Sequence, residues 1–346
     1  MELNRRSFLQ FSGMLAYALA GNFESLGAFL KKSKEERPAI RRENVFRENG
    51  RNMVAVVGGT DVGAMIRESV SLIGGFTRLG IRGKTVLVKP NVVSGRKNPT
   101  TTNPAVVKAV VKILYEKGAS KVYVGDMSAL LRLPTKDNME KTGIKKAAQD
   151  AGAQVVFFDD HEWIKVKVPK GKYIKEVEVS EWMFRADRIV NLPVIKTHRS
   201  AQYSICLKNF VGATHFKQRP YFVDSKHWEE VVSEINLAYT PDLNIVDGTT
   251  TMVEGGPWKG KEVETNLVMA SGDRVAADVV GLALIKTYGL WKSVASRSVW
   301  DQRQIRRAAE IGLGAGRREE IKLVTASTGN VPGFDELLGR IEKNLV

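Results

Sequence analysis

The chain has 346 residues, and its 53 Lys and Arg residues against 38 Asp and Glu residues give a formal net charge of +15. Hydrophobic residues make up 43% of the sequence, which excludes extensive disorder and allows either roughly two domains or one large α/β domain. The single cysteine, Cys206, excludes a disulfide framework and any four-cysteine zinc or iron–sulfur site within the chain. No intrinsic iron–sulfur cluster is therefore expected, and the positive charge favours an anionic partner.

The N-terminal residues have the pattern of an export signal. Arg5 and Arg6 form a twin-arginine pair, an apolar run follows over residues 11–20, and residues 18–20 have the small-x-small form of a cleavage site. We therefore expect residues 1–30 to be a twin-arginine signal segment that directs the chain to the periplasm or the cell-surface side of the membrane. Left uncut, the segment would associate the protein with the membrane. An ordinary amphipathic helix is the alternative.

From residue 53 onward, short apolar strands alternate with helical segments. The predicted strands are 53–57, 85–89, 122–126, 155–159, 188–192, 243–247, 267–270 and 321–325. The predicted helices are 62–78, 104–117, 139–151, 226–238, 274–288, 301–312 and 334–344. This alternation indicates an α/β fold with a mainly parallel sheet and helices on both faces. Residues 164–179 alternate like a hairpin, which predicts a small antiparallel hairpin insertion near residues 160–180.

The predicted organisation therefore has three parts. The signal segment comes first, and residues 31–51 are polar and charged, as is typical of a tether. Residues 52–346 form a single large α/β domain that carries the hairpin insertion.

Polar side chains stand at or just after several predicted strand ends. They are Lys89, Asn91, Asp126, Lys196, Thr197, His198 and Asp247. Each alone fits an ordinary loop residue. Together they predict a binding crevice, because ligands of open α/β sheets bind outside the carboxyl ends of the strands.

A second segment, residues 207–213, places Lys208 and Asn209 inside an apolar stretch. A lysine there must extend its amine to solvent, pair with an acid, or face an anionic ligand. We expect the amines of Lys89, Lys196 and Lys208 to converge on one pocket. Asn91 and Asn209 would then orient an anionic ligand by hydrogen bonds.

The sequence resembles the domain-of-unknown-function 362 family through short motifs that occur in order over about residues 53–315. The motifs are Val88-Lys89-Pro90-Asn91, Thr102-Asn103-Pro104, Lys196-Thr197-His198, Leu207-Lys208-Asn209-Phe210-Val211-Gly212, Val246-Asp247-Gly248, Glu254-Gly255-Gly256-Pro257, Ser271-Gly272-Asp273 and Ala277-Asp278. Members of that family occur alone, with twin-arginine signals, or joined to ferredoxin-type iron–sulfur modules. The resemblance implies the fold and the location of the site rather than a reaction. This chain lacks the ferredoxin cysteines, so a redox role would need a separate redox protein as partner.

Carboxylates near the motifs allow a metal-dependent form of the site. Asp126, Asp247, Glu254 and Asp278 are candidate hard oxygen ligands for a divalent metal. The alternatives are a turn at Asp247 and a buried ion pair at Asp278. His198 is the candidate acid/base, because the unperturbed imidazole pKa near 6.5 suits proton transfer at neutral pH. Asp126 and Asp247 would position His198 or a metal.

Two function classes remain open on these observations. The first is an exported enzyme that binds a carboxylate or phosphate in the lysine-rich crevice, with or without a divalent metal. The second is a non-catalytic ligand- or metal-binding assembly protein that serves a redox partner. Nucleic acid is not expected as a partner, because the basic residues near the C-terminus are not interleaved with aromatic residues. For an exported protein, anionic lipid headgroups or cell-wall polymers are the expected targets of that basic surface.

Overall fold

The structure is a computed structural model that describes residues 35–224 and 226–346. The predicted signal segment lies outside these residues. The strands are β1 (Glu35–Glu36), β2 (Arg47–Glu48), β3 (Arg51–Gly58), β4 (Thr85–Pro90), β5 (Lys121–Asp126), β6 (Gln154–Phe157), β7 (Trp163–Lys167), β8 (Glu176–Ser180), β9 (Arg188–Leu192), β10 (Val194–His198), β11 (Gln202–Ser204), β12 (Leu243–Gly255), β13 (Gly260–Ser271) and β14 (Ile321–Ser327).

The helices include several of a single turn. They are α1 (Val62–Leu72), α2 (Pro104–Glu116), α3 (Thr135–Thr142), α4 (Ile144–Asp150), α5 (Trp182–Arg185), α6 (Cys206–Asn209), α7 (Arg219–Asp224), α8 (Trp228–Ile235), α9 (Arg274–Lys286), α10 (Lys292–Ala295), α11 (Arg303–Glu310) and α12 (Phe334–Lys343). Short 3-10 turns lie at Phe76–Leu79, Leu130–Arg132, Phe158–Asp160, Phe210–Ala213, Asn236–Ala238 and Arg318–Glu320. Within the described ranges, no helix combines the length and apolar character needed to cross a bilayer.

The large sheet confirms the predicted fold class. Its strand order is β14-β3-β13-β12-β9-β4-β5-β6, and β10 and β11 branch from β12. Most neighbours pair in parallel, whereas β13 runs antiparallel to both β3 and β12. Side chains of β3 alternate between two cores, with Val54 and Val56 in one and Ala55 and Val57 in the other. Helix α9 packs in the first core and helices α1 and α2 in the second, so the sheet is covered on both faces.

The hairpin insertion is present as β7 and β8, which pair antiparallel. Strand β1 pairs with β7, which makes a small three-stranded sheet. Strand β2 pairs with β3, and the Phe46 side chain beside it is fully buried. Residues 35–51 therefore pack on the folded domain, and the prediction of a polar tether over this part of the chain is wrong. One aromatic side chain and a few backbone hydrogen bonds anchor a segment whose composition is otherwise that of a linker.

Candidate functional site

A cavity of about 430 Å³ opens at the carboxyl ends of the sheet strands. Asn91 lies directly after β4, Asp126 is the last residue of β5, and His198 is the last residue of β10, and all three line the cavity. Lys196 and Lys208 also line it. The structure therefore brings most of the polar residues singled out at strand ends to one place, as the strand-end rule for open α/β sheets requires.

Lys89 and Asp126 form a buried ion pair beneath the cavity. The Lys89 Nζ atom lies 2.6 Å from Asp126 Oδ1, and both side chains are almost wholly shielded from solvent. The backbone N–H of Val92 donates to the other carboxylate oxygen at 2.7 Å. Gly212 lets this pair fit, because a Cβ atom at that position would lie 2.1 Å from Asp126 Oδ1 and 2.9 Å from Lys89 Nζ. Asp126 is thus engaged by Lys89, and the prediction that it positions His198 is wrong.

Lys196 is buried and is held by two acceptors. Its amine donates to Asn91 Oδ1 at 2.5 Å and to the backbone oxygen of Thr100 at 2.6 Å. Burial lowers its pKa well below the usual lysine value, and the nearby Lys208 amine lowers it further. One side-chain oxygen and one backbone oxygen therefore fix the Lys196 amine without a ligand.

A directional chain of asparagine amides continues from Lys196 into the sheet. Asn91 donates to Asn209 at 3.0 Å, Asn209 donates to Asn191 at 2.8 Å, and Asn191 donates to Asn244 at 3.0 Å. Each amide accepts through its oxygen and donates through its nitrogen, an arrangement in which successive hydrogen bonds strengthen one another. The Asn209 side chain is buried within this series of hydrogen-bonded amides, so its role is to orient Asn91 rather than to touch a ligand.

Lys208 and Arg219 supply the cations that reach into the cavity. The Lys208 amine lies 5.3 Å from the centre of the Trp228 ring, and Lys208 lines the cavity. Desolvation, helped by the neighbouring Arg219 guanidinium, lowers the pKa of Lys208 to about 7.

The buried Arg219 side chain lines the cavity and is anchored at two of its three nitrogens. Nη1 donates to the Ser128 oxygen at 2.6 Å and Nε donates to the Thr214 oxygen at 3.2 Å. No described residue accepts from Nη2. Burial lowers the Arg219 pKa to about 10, so the guanidinium stays charged at neutral pH.

His198 lies at the cavity wall with its ring orientation fixed by the following loop. Its Nδ1 atom accepts the backbone N–H groups of Ser200 and Ala201, both at 3.2 Å. The ring proton of the neutral imidazole is therefore on Nε2. Burial, with Lys208 and Lys196 nearby, lowers the His198 pKa well below 6.5. The expectation of an imidazole that exchanges protons near neutral pH was based on an unperturbed pKa, which this environment does not allow.

Two of the predicted carboxylates accept hydrogen bonds from backbone N–H groups at helix N-termini and do not line the cavity. Asp247 accepts the backbone N–H of Asn103, the N-cap residue of α2, at 2.7 Å. Asp278 accepts the N–H of Cys206 at 2.6 Å and that of Leu207 at 3.3 Å, at the start of α6. Carboxylates are favoured at helix N-termini, where backbone N–H groups lack helical partners. The roles predicted for Asp247 beside His198 and for Asp278 beside a ligand are therefore corrected.

The remaining predicted residues lie outside the cavity lining. Glu254 is exposed on β12 opposite Lys261 of β13. The Thr197 side chain is buried on β10, and its hydroxyl makes no hydrogen bond with the described residues. Asp126, Asp247, Glu254 and Asp278 do not converge, and no group of three or more His, Cys, Asp or Glu residues in the described ranges is arranged to hold a metal ion.

Sequence reasoning missed Arg219, Trp228 and Trp258 in the cavity. Trp258 directly follows the Glu254–Pro257 motif, and Arg132 stacks on its ring at 5.3 Å. Arg219 precedes a proline in a segment with no strand or motif beside it. Trp258 could have been found from its nearness to that motif, whereas Arg219 and Trp228 have no such signal, because only the fold brings α7 and α8 to the cavity.

Fold and cavity together define an α/β protein with a basic cavity at the strand carboxyl ends. The chain belongs to the family described as Domain of unknown function (DUF362), whose model matches residues 86–283. It is similar to the Thylakoid-associated protein sll1697 of Synechocystis sp., with 27% identity over 224 residues that cover 63% of this chain and 68% of that protein.

Two solved structures share a general likeness with the chain. One is the lactate racemase apoprotein from Thermoanaerobacterium thermosaccharolyticum, with a TM-score of 0.40, 12% identity and 90% of each chain covered. The other is a protein from Thermotoga maritima, with a TM-score of 0.40 and 13% identity, which covers 72% of this chain and 60% of that one. Every site residue discussed above from Lys89 to Asp278 falls within the region that the family model matches.

Proposed function

We propose that the cavity binds an anionic small molecule, a carboxylate or a phosphate. The observation that carries the proposal is the buried Arg219 guanidinium, whose Nη2 atom has no acceptor among the described residues. Arg219 and Lys208 both line the cavity. A buried donor without an acceptor is costly, and more so when it is charged. An anion between these two side chains would supply the missing acceptor.

The charge balance of the site supports the same conclusion. Lys89, Lys196, Lys208 and Arg219 lie at or beneath the cavity, and Asp126 is the only acid among the described lining residues. Lys89 already pairs with that carboxylate. Burial lowers the pKa of Lys196 and Lys208, and in each case a neighbouring cation lowers it further. A bound anion would raise both pKa values again.

Proton transfer in this proposal belongs to Lys208 rather than to His198. A pKa of about 7 gives the Lys208 amine both protonation states at neutral pH. His198, held neutral with its proton on Nε2, donates a hydrogen bond to the ligand. Export of the protein by the twin-arginine route remains part of the proposal on the sequence alone.

Titration of the purified protein with inorganic phosphate and with oxalate tests the proposal. We expect saturable binding that Lys208→Met weakens by about tenfold or more, the usual consequence of losing a charge-assisted hydrogen bond. Arg306→Gln is the matched control, because it removes one positive charge from an exposed side chain of α11. Equal losses in both variants would indicate general charge attraction, and an unaffected Lys208→Met variant would place the anion elsewhere.

A further inference from the structure

The cavity is divided by depth into a cationic floor and apolar walls. Lys196 and Arg219 are buried at the floor. The lining also contains apolar side chains that are partly exposed, among them Leu130 and Val211. Most ligand pockets are mainly apolar with a few polar groups that fix orientation. Here the most deeply buried charged groups of the lining include the cations Lys196 and Arg219.

The mouth of the cavity exposes large hydrophobic side chains to solvent. Leu131 is 67% exposed and Val223 is 44% exposed, and both line the cavity. Five large hydrophobic side chains in the described ranges are more than a third exposed, and two of the five line this one cavity. The Trp258 ring beside them is held by Arg132. Apolar surface gathered at a cavity mouth indicates contact with a ligand or partner.

We propose that the ligand is a single-chain amphiphile, with one carboxylate or phosphate head group and a hydrocarbon tail. The head lies on the floor between Lys208 and Arg219, and the tail runs outward along Leu131 and Trp258. This inference rests on the proposed anion site and adds the chemical class of the ligand. A small anion would accept hydrogen bonds from the buried cations but leave the apolar lining in contact with water. An alkyl tail would also cover the apolar lining and the exposed hydrophobic side chains at the mouth.

The charge pattern favours this orientation of the ligand over the reverse. The floor cations are desolvated and have one acid near them, which Lys89 already neutralises. A hydrocarbon tail at the floor would leave those cations buried without partners, at a high cost. A head group at the mouth would lie beside the exposed side chains of Leu131 and Val223, and the donor it would meet there, Arg199, is already hydrated because it is exposed.

A chain-length series of alkyl phosphates tests the inference. Inorganic phosphate, butyl phosphate and octyl phosphate are titrated into the full-length protein by calorimetry, below the concentration at which octyl phosphate forms micelles. Full burial of one methylene group increases affinity by about fourfold, and octyl phosphate has about four more of these groups than butyl phosphate. Even with partial burial of the longer tail, we therefore expect octyl phosphate to bind at least about tenfold more tightly than butyl phosphate. Leu131→Ser should reduce that gain and leave the affinity for inorganic phosphate unchanged.

Controls separate failure of this inference from failure of the anion site. Leu290→Ser changes an exposed leucine outside the cavity and should leave the series unchanged. If inorganic phosphate binds but chain length has no effect, the amphiphile inference is overturned and the anion site stands. If none of the three probes binds saturably, both fail. If octyl phosphate binds the Lys208→Met variant as tightly as it binds the unsubstituted protein, the tail is adsorbing without its head group, which also overturns the inference.

Discussion

Lys208 is the residue whose titration reports most directly on the cavity. Its pKa is about 7 because the amine is desolvated beside Arg219. A bound anion favours the protonated amine and raises this pKa. Binding at pH 7 should therefore take up protons, on the order of half a proton at this group. Calorimetry with oxalate in buffers of different ionisation enthalpy measures the uptake, since oxalate itself stays fully ionised at this pH.

The sign of the pH dependence follows from the same linkage. The protonated amine binds the anion, so affinity is highest below pH 7 and falls as the pH rises through the pKa of the free site. In Lys208→Arg the side chain stays charged throughout, so binding should persist while the Lys208 part of the pH dependence disappears. Proton uptake that is unchanged in this variant would assign the titration to another group.

The Lys89–Asp126 pair gives a prediction about stability. Asp126→Asn leaves the Lys89 amine buried without a counter-ion, and breaking a buried pair from one side typically costs about 3–5 kcal/mol. Denaturant unfolding should show a loss of that order. Asp150→Asn is the control, because Asp150 pairs with Lys146 on the surface, and it should hardly change the free energy of unfolding. Similar losses in the two variants would contradict the role assigned to the buried pair.

The sequence was informative about individual site residues where a motif and a strand end coincide. Asn91 and Lys196 line the cavity, as predicted, whereas the Lys89 amine is buried in the ion pair with Asp126 and does not line the cavity with them. Asp247 and Asp278 were misassigned, because a carboxylate that caps a helix and a carboxylate that holds a ligand have the same sequence pattern. Only the three-dimensional position of the α2 and α6 N-termini distinguishes the two roles.

At the scale of elements, Gly143 explains why the predicted helix 139–151 is two helices. It has a φ of 82° and ends α3 before α4 begins. Gly143→Ala should destabilise the protein by about 1 kcal/mol, because alanine is strained at positive φ. Gly339→Ala is the opposite case, since Gly339 lies exposed within α12 with open space around it, and it should stabilise by up to about 1 kcal/mol. Unfolding curves that show the same sign for both variants would contradict this account.

The β12–β13 hairpin is the element that sequence periodicity described least well. The predicted strands 243–247 and 267–270 are the buried ends of two long antiparallel strands. Their pairing runs from Asn244 opposite Ser271 to Gly255 opposite Gly260. The outer parts carry Thr, Glu and Lys residues and do not form an apolar run. Their pairing is determined by the partner strand, which a local pattern does not contain. By contrast, α2 begins at Pro104 after its Asn103 cap, as predicted, because both signals are local.

At the scale of the whole molecule, the net charge of +15 has two components. A few cations are buried at the cavity and lack acids, while others form ion pairs on the surface, such as Arg303 with Glu230 and Arg307 with Glu234. The general excess of charge therefore does not locate the site. What locates it is the burial of cations at the strand ends, which composition cannot show.

Export is a prediction about the whole chain. If residues 4–20 direct twin-arginine transport, replacing Arg5 and Arg6 together by Lys should retain the protein in the cytoplasm, because the pathway reads the arginine pair and not its charge. Fractionation of cells that express the full chain measures this directly. Replacement of Arg41 and Arg42 by Lys is the control outside the signal. Equal export of the two double variants would refute the twin-arginine assignment.

In the proposed function, the cavity beside Lys208 and Arg219 holds an anion. The most direct measurement is a crystal structure of the protein soaked in selenate, a tetrahedral oxyanion whose selenium scatters anomalously. We predict an anomalous peak within hydrogen-bond distance of Lys208 Nζ and Arg219 Nη2, and its loss in crystals of Lys208→Met. Peaks confined to the protein surface, with none in the cavity at the same selenate concentration, would contradict the account.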